Sequence, residues 1–127
     1  MLIKIDTYAE KPIYEQLRDS IIMGIASGQL VEGESLPSAR NLAADLGVNF
    51  HTVNKAYDTL RSSGYIVMNK RTTAIVAEKK TRSDMPEILL ETLTLCVAEA
   101  ICNGIDESEF SKTAAEIYRK FRGGNTQ

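Results

Sequence analysis

The sequence is poor in the residue types that catalysis and metal binding need. It has one histidine, His51, two cysteines and no tryptophan among 127 residues. A hydrolytic triad would need that histidine beside a nucleophile and a carboxylate, and no pattern marks such partners. No glycine-rich phosphate loop precedes a helix, and no metal-ligand spacing surrounds His51. We therefore expect no enzyme, no cofactor and no metal site.

The sequence also predicts no disulfide and no membrane-spanning segment. Cys96 and Cys102 on one helix would lie about 9 Å apart along its axis, too far for a disulfide, so we expect two buried thiols that act as small apolar groups. No stretch approaches the ~20 apolar residues of a membrane span. Residues 1–6 lack the long apolar core of a signal peptide. These features predict a cytoplasmic protein with no membrane partner.

Positive charge is scarce overall but concentrated in the middle of the chain. The formal net charge is −2. Residues 38–82 nevertheless carry a local charge of +5, with eight Lys and Arg against three Asp and Glu. Residues 1–37 carry −3 and residues 83–127 carry −4. A basic segment between acidic ends can direct one face of the protein toward phosphate.

The first half of the chain has the pattern of three helices. Pro12 opens the first helix, and its apolar residues recur at helical spacing up to Gly28, which caps it. Residues 29–37 are predicted to be a loop. Ser38 caps a short second helix that Gly47 ends. The third helix is capped by Asn49, and its predicted inner face consists of Val53, Ala56, Tyr57 and Leu60.

The turn between the second and third helices indicates a DNA-binding motif. About three residues that include a glycine separate the two helices, which is typical of a helix-turn-helix. Gly64 ends the third helix, and two β-rich runs, residues 65–68 and 74–77, follow it. Between the runs lie Lys70 and Arg71. We interpret this as a hairpin wing with two cations at its tip.

The last third of the chain predicts two amphipathic helices after a polar linker, residues 78–83. Asp84 with Glu87 forms a capping box for the first of them, and Asp106 with Glu109 starts the second. Two such helices alone cannot bury both apolar stripes, so we expect them to pair with a second copy of the chain. Packing onto the N-terminal part of a monomer is the alternative. The predicted dimerisation residues are Leu89, Leu90, Leu93, Val97, Ile101, Phe110, Ile117 and Phe121.

These elements together predict the fold class. It is mainly α with a small β-hairpin wing: a winged helix-turn-helix domain, residues 1–80, followed by a helical dimerisation segment, residues 84–122. A segment of two helices is too small to enclose a ligand pocket. A small-molecule effector, if the protein has one, would bind between subunits or domains, and the sequence does not identify it.

The motifs of the winged domain resemble those of the GntR family of bacterial transcription regulators. The match covers about residues 8–78. Its matching positions are Pro12-Ile13-Tyr14-Glu15-Gln16-Leu17, Gly28-Gln29-Leu30, Gly33, Leu36-Pro37-Ser38, Arg40, Leu42-Ala43, Leu46-Gly47-Val48, Thr52-Val53, Ala56-Tyr57, Leu60 and Gly64-Tyr65. The short helical tail is similar to that of the YtrA subgroup, which dimerises through a small helical extension.

The resemblance implies a repressor or other regulator that binds a palindromic operator as a homodimer. YtrA-like proteins often regulate transporter operons. By the same resemblance, Arg40 contacts DNA, the start of the third helix reads the major groove, and the wing tip meets the minor groove. The predicted DNA-binding residues are Ser38, Arg40, Asn49, Phe50, His51, Thr52, Asn54, Lys55, Asn69, Lys70 and Arg71.

Two positions depart from the family pattern. Phe50 stands where the family commonly has arginine, so it either contacts a thymine methyl group or packs between helices. The two glycines of the family's wing are Lys70 and Thr72 here, so the hairpin turn needs a different geometry and its cations can reach phosphate instead.

Several interpretations remain open from the sequence. Asn49 can cap its helix, read a base or contact phosphate, and Arg40 can contact DNA or form a salt bridge. A protein-interaction adaptor that keeps the fold without tight DNA binding is the alternative function. An enzyme or metal-binding protein is disfavoured.

Overall fold

A computed structural model describes residues 3–70 and 73–123 of the chain. Within these ranges the helices and strands are α1 (Ile13–Ser27), α2 (Ala39–Leu46), α3 (Phe50–Ser62), β1 (Ile66–Asn69), β2 (Thr73–Val76), α4 (Glu87–Cys102) and α5 (Glu107–Arg122). The chain divides into two compact units, residues 1–79 and 80–127. The predicted fold class, mainly α with a small β-hairpin, is confirmed. No helix in the described part of the chain is long and apolar enough to span a membrane.

The first unit is built around α3. Its four predicted inner residues are all buried, and α1 and α2 both pack against this helix. The core of the unit consists of Leu17, Ile21, Leu30, Leu36, Leu42, Ala43, Val53, Ala56, Tyr57, Leu60, Ile66, Ala74 and Val76. Since that core is supplied by all three helices and by the hairpin, it sets the orientation of α3 within the unit.

Local capping fixes where α2 and α3 begin and end. The Ser38 hydroxyl oxygen accepts a hydrogen bond from the Asn41 amide at 3.1 Å, and the Asn49 carboxamide oxygen accepts one from the His51 amide at 2.7 Å. Gly47 adopts φ +69° at the end of α2, a conformation that other residues reach only at a cost. The predicted three-residue turn is confirmed. Pro12 lies at the N-cap of α1, just outside the helix rather than in its first turn.

The second strand of the hairpin is paired on both of its edges. β1 and β2 pair antiparallel, with Ile66 opposite Val76 at one end and Asn69 opposite Thr73 at the other. On the other side of β2, residues 33–36 run antiparallel to it, with the Leu36 amide donating to the Ala74 carbonyl at 2.8 Å and the Val76 amide donating to the Glu34 carbonyl at 2.9 Å. The sequence predicted only a loop for residues 29–37. The pairing of residues 33–36 with β2 joins segments far apart in the chain, and no local sequence pattern predicts it.

The second unit consists of α4 and α5. α5 starts as predicted, because the Asp106 carboxylate accepts a hydrogen bond from the Glu109 amide at 2.9 Å. The predicted cap of α4 is wrong. α4 starts at Glu87 after Pro86, with no side-chain cap, while Asp84 lies 3.7 Å from the Arg82 guanidinium. A residue that precedes proline is disfavoured in the helical conformation, so the helix cannot extend back through Met85.

α4 exposes apolar side chains all round its circumference. Only Ala100 is buried, whereas Ile88 is 78% and Ile101 is 68% exposed. None of the eight predicted dimerisation residues is buried: Phe110 and Phe121 are half-buried, and the other six are exposed. Cys96 and Cys102 are also exposed, so the expectation of buried thiols is wrong for the single chain, because neither helix of this unit covers them.

Candidate DNA-binding surface

The outer side of α3 presents polar side chains to solvent. Val53 and Ala56 are fully buried, while the intervening Asn54 and Lys55 are exposed. His51 is exposed and Thr52 is half-buried, both in the first turn of the helix. Because helical periodicity separates the two faces, the residues that hold α3 in place are not the ones that would touch a ligand.

Two predicted contact residues also act as helix caps. The side-chain oxygens of Ser38 and Asn49 accept backbone hydrogen bonds at the starts of α2 and α3. The Asn49 amide group and the Ser38 hydroxyl proton make no hydrogen bond to any described residue. Each side chain can therefore cap its helix and still donate hydrogen bonds to a ligand, one from Ser38 and up to two from Asn49. The hydrogen bond from the His51 amide shows directly that Asn49 caps α3.

Arg40 lies against an aromatic ring. Its guanidinium carbon is 4.7 Å from the centroid of the Phe50 ring, within the range of a cation–π contact. Phe50 is half-buried and packs against the core, and its ring makes a T-shaped contact with the His51 ring at a centroid distance of 5.4 Å. Arg40 forms no salt bridge with any described carboxylate. This arrangement favours the packing interpretation of Phe50.

Lys55 has a similar aromatic neighbour. Its ammonium nitrogen lies 4.1 Å from the centroid of the Tyr14 ring, which joins the start of α1 to the outer side of α3. Beside this pair is a shallow depression of about 410 Å³. It is lined by Pro12, Ile13, Tyr14, His51, Thr52 and Lys55.

Three other cations of the first unit are paired with carboxylates. Arg61 lies 2.7 Å from Asp58 near the end of α3. On α1, Asp19 contacts both Lys11 and Arg18. Its hydrogen bond and negative charge raise the pKa of Lys11. Such pairs reduce the positive potential that these cations offer to an external anion.

Tyr57 connects α3 to the segment that precedes α2. Its phenol donates a hydrogen bond to the Pro37 carbonyl at 2.7 Å. Burial raises the pKa of Tyr57 to about 12, because the charged phenolate is poorly solvated inside the protein. This contact fixes the position of Pro37 relative to α3, immediately before Ser38.

The described part of the wing tip has an unusual backbone conformation. Asn69 and Lys70 are exposed, and Lys70 adopts φ +52°, in the left-handed region that favours glycine. The family pattern has a glycine at this position. The turn therefore contains a residue in the left-handed conformation, Lys70, that is not a glycine. Arg71, also predicted to bind DNA, lies outside the described residues.

Sequence reasoning missed three features of this surface. It did not assign Tyr14 to the surface, did not find a partner for the Tyr57 hydroxyl and did not pair residues 33–36 with β2. Only Tyr57 carried a signal, since a tyrosine on a buried helix face needs a hydrogen-bond partner for its hydroxyl. The described residues contain no cluster of His, Cys, Asp and Glu able to hold a metal ion.

The fold and this surface define the class of the protein. A second and a third helix joined by a three-residue turn, followed by a two-stranded hairpin, form a winged helix-turn-helix, the fold of DNA-binding transcription regulators. Residues 13–76 match the sequence profile of the bacterial regulatory proteins of the gntR family. The chain belongs to the GntR family.

Similarity over the whole length extends to YtrA proteins. The HTH-type transcriptional repressor YtrA of Bacillus subtilis is 29% identical over 132 residues, which cover 97% of each chain. The solved structure of YtrA from Sulfolobus acidocaldarius, a GntR-family transcription factor, is 36% identical, with a TM-score of 0.60 over 93% of this chain and 97% of that one. The regulator Rv1152 of Mycobacterium tuberculosis is 41% identical over 64 residues, and this chain covers 53% of its length. These matches place the chain in the YtrA-like subgroup.

Proposed function

We propose that the protein is a homodimeric repressor in the cytoplasm that binds a palindromic operator through the outer side of α3. The observation that carries this proposal is the division of α3 into a buried side and an exposed polar side. Asn54 can pair with adenine in the major groove. The repressor assignment is supported by the name of the B. subtilis relative.

Around α3, the remaining surface residues suit contacts with the DNA backbone. Lys55 and Thr52 line the depression between α1 and α3, where a phosphate can meet a cation and a hydroxyl. Lys70 at the wing tip is free to reach phosphate from the neighbouring groove. Arg40 is the described cation best suited to a base, because a guanidinium can bind guanine with two hydrogen bonds.

An unbiased selection tests DNA recognition. The purified chain is incubated with random duplex DNA, and bound sequences are recovered and read. We expect a palindrome whose half-sites lie one helical turn apart, about 10–10.5 base pairs, or a multiple of that. Failure to enrich any sequence, with only salt-sensitive nonspecific binding left, would favour the adaptor alternative.

A matched pair of variants tests the role of Arg40. Arg40→Ala should weaken binding to the selected operator by about 1 to 3 kcal/mol if the side chain reads a base. Arg61→Ala removes the same charge from a residue that is paired with Asp58, so it should change affinity little. Equal effects of the two variants would show that only net charge matters.

Dimerisation is proposed for the exposed apolar surface of α4. An apolar helix that is exposed all round is normally covered by other protein, and a two-fold pair of chains is the commonest such arrangement. Leu93→Glu should produce monomers in sedimentation velocity and lower operator affinity by about 10²- to 10⁴-fold, because the second half-site no longer binds intramolecularly.

Ser108→Glu is the control for that variant, since it adds the same charge on the exposed polar side of α5, opposite Phe110 and Ile117. It should leave the dimer intact. A wild-type chain that sediments as a monomer at micromolar concentration would refute the homodimer, and a Leu93→Glu dimer would place the interface elsewhere.

A further inference from the structure

We infer that Phe50 is a positioning residue that holds the Arg40 guanidinium at the DNA-binding surface, and that it does not read a base itself. The inference rests on the proposed function and deepens it, because it assigns the first residue of α3 a role in specificity. Its basis is the position of the Arg40 guanidinium carbon over the Phe50 ring, 4.7 Å from the ring centroid.

The ring has a fixed place because it is held from two sides. Phe50 packs against the core of the first unit, and its ring makes an edge contact with His51 at an interplanar angle of 60°. The face of the ring is the part that Arg40 covers. A ring engaged by the core, by His51 and by Arg40 has little surface left to meet a thymine methyl group.

An aromatic partner suits a cation that must still bind DNA. A carboxylate, such as the Asp58 that binds Arg61, neutralises the charge and occupies the N–H donors. A phenyl ring has no net charge and no carboxylate oxygen that would occupy the guanidinium N–H donors. Arg40 therefore keeps its charge and its two-pronged donor edge.

The contact also lowers the entropy that Arg40 loses on binding. An unsupported arginine samples many rotamers, and ordering it opposes complex formation. A ring at 4.7 Å restricts those rotamers before DNA arrives. By this argument, the phenylalanine that replaces the family's arginine at this position gives up one potential guanine contact and strengthens the contact made by Arg40.

A double-mutant cycle tests the inference with wild type, Phe50→Leu, Arg40→Ala and the double variant, measured on the operator recovered by selection. Phe50→Leu keeps an apolar side chain on the core but removes the ring. It should weaken binding by about 2- to 5-fold, the usual range of an exposed cation–π contact. In the Arg40→Ala background the same change should have no further effect, and Phe50→Tyr should bind like wild type.

Two further readouts separate positioning from mere folding. Phe50→Leu should relax base preference at the same base pair as Arg40→Ala. In the DNA-free protein, the Arg40 side-chain protons should be shifted upfield in the NMR spectrum by the ring, and this shift should be lost in Phe50→Leu while thermal unfolding stays cooperative.

The inference is overturned if Phe50→Leu weakens binding equally in both Arg40 backgrounds, if it alters preference at a different base pair, or if no ring-current shift is seen in wild type. These outcomes differ from failure of the proposed function, in which wild type selects no sequence at all.

Discussion

Ionisation of the buried Tyr57 phenol should destabilise the protein at alkaline pH. The pKa of this group is raised to about 12 by burial, whereas an unfolded tyrosine has a pKa of about 10. Because the folded state binds the proton more tightly, the associated stability is fully present below pH 10 and is lost as the pH rises toward 12. The loss is about 1 kcal/mol at pH 11 and approaches roughly 2 to 3 kcal/mol above pH 12.

Tyr57→Phe provides the comparison for this prediction. The variant loses the hydrogen bond to Pro37 and should be about 1 kcal/mol less stable at pH 8. It also lacks the titrating group, so its free energy of unfolding should decline less between pH 9 and pH 11. Urea unfolding followed by circular dichroism at a series of pH values measures both effects.

The same substitution at an exposed tyrosine controls for general alkaline effects. Tyr8 is 97% exposed, and Tyr8→Phe should leave both the stability at pH 8 and its pH dependence unchanged. If wild type and Tyr57→Phe lose stability in parallel up to pH 11, then the argument that the phenol is held in its neutral form by burial is wrong.

Two further pairs of variants probe the backbone and the caps. Lys70→Gly should be more stable than Lys70→Ala by about 1 kcal/mol in urea unfolding, because φ +52° strains any residue with a Cβ atom. Equal stabilities of the two variants would refute this strain. Both variants should also reduce the salt slope of DNA binding by about one unit. Asn49→Ala should cost about 1 kcal/mol of stability through the lost cap. Asn49→Asp keeps the cap but loses the outward donor, so it should unfold like wild type and bind the operator more weakly; unchanged binding would remove Asn49 from the interface.

Much of the first unit could be predicted because its signals are local. Ser38, Asn49 and the turn glycine Gly47 act through neighbouring backbone groups, and the apolar period of α3 needs no partner to be seen. The start of α4 shows the limit of this reasoning. Asp84 satisfies a capping pattern, but Pro86 disfavours the helical conformation of Met85, so α4 starts only at Glu87, two residues later than predicted.

The candidate surface was predictable as a set of exposed residues but not as a set of contacts. Helical spacing indicates that Asn54 and Lys55 lie opposite the buried side of α3. It does not indicate that the Lys55 ammonium lies over the Tyr14 ring or that the Arg40 guanidinium lies over the Phe50 ring. Both pairs join different helices, so they depend on how those helices pack.

The amino-acid sequence by itself determined the helices of the first unit, the turn that joins α2 to α3, the hairpin and the family. These follow from periodicity, capping and turn chemistry, which act over a few residues. Only the tertiary structure decided that residues 33–36 pair with β2, that Tyr57 binds Pro37 and that aromatic rings support the cations beside α3. Such contacts join residues far apart in the chain, and they arise only when core packing brings those residues within a few ångströms of each other.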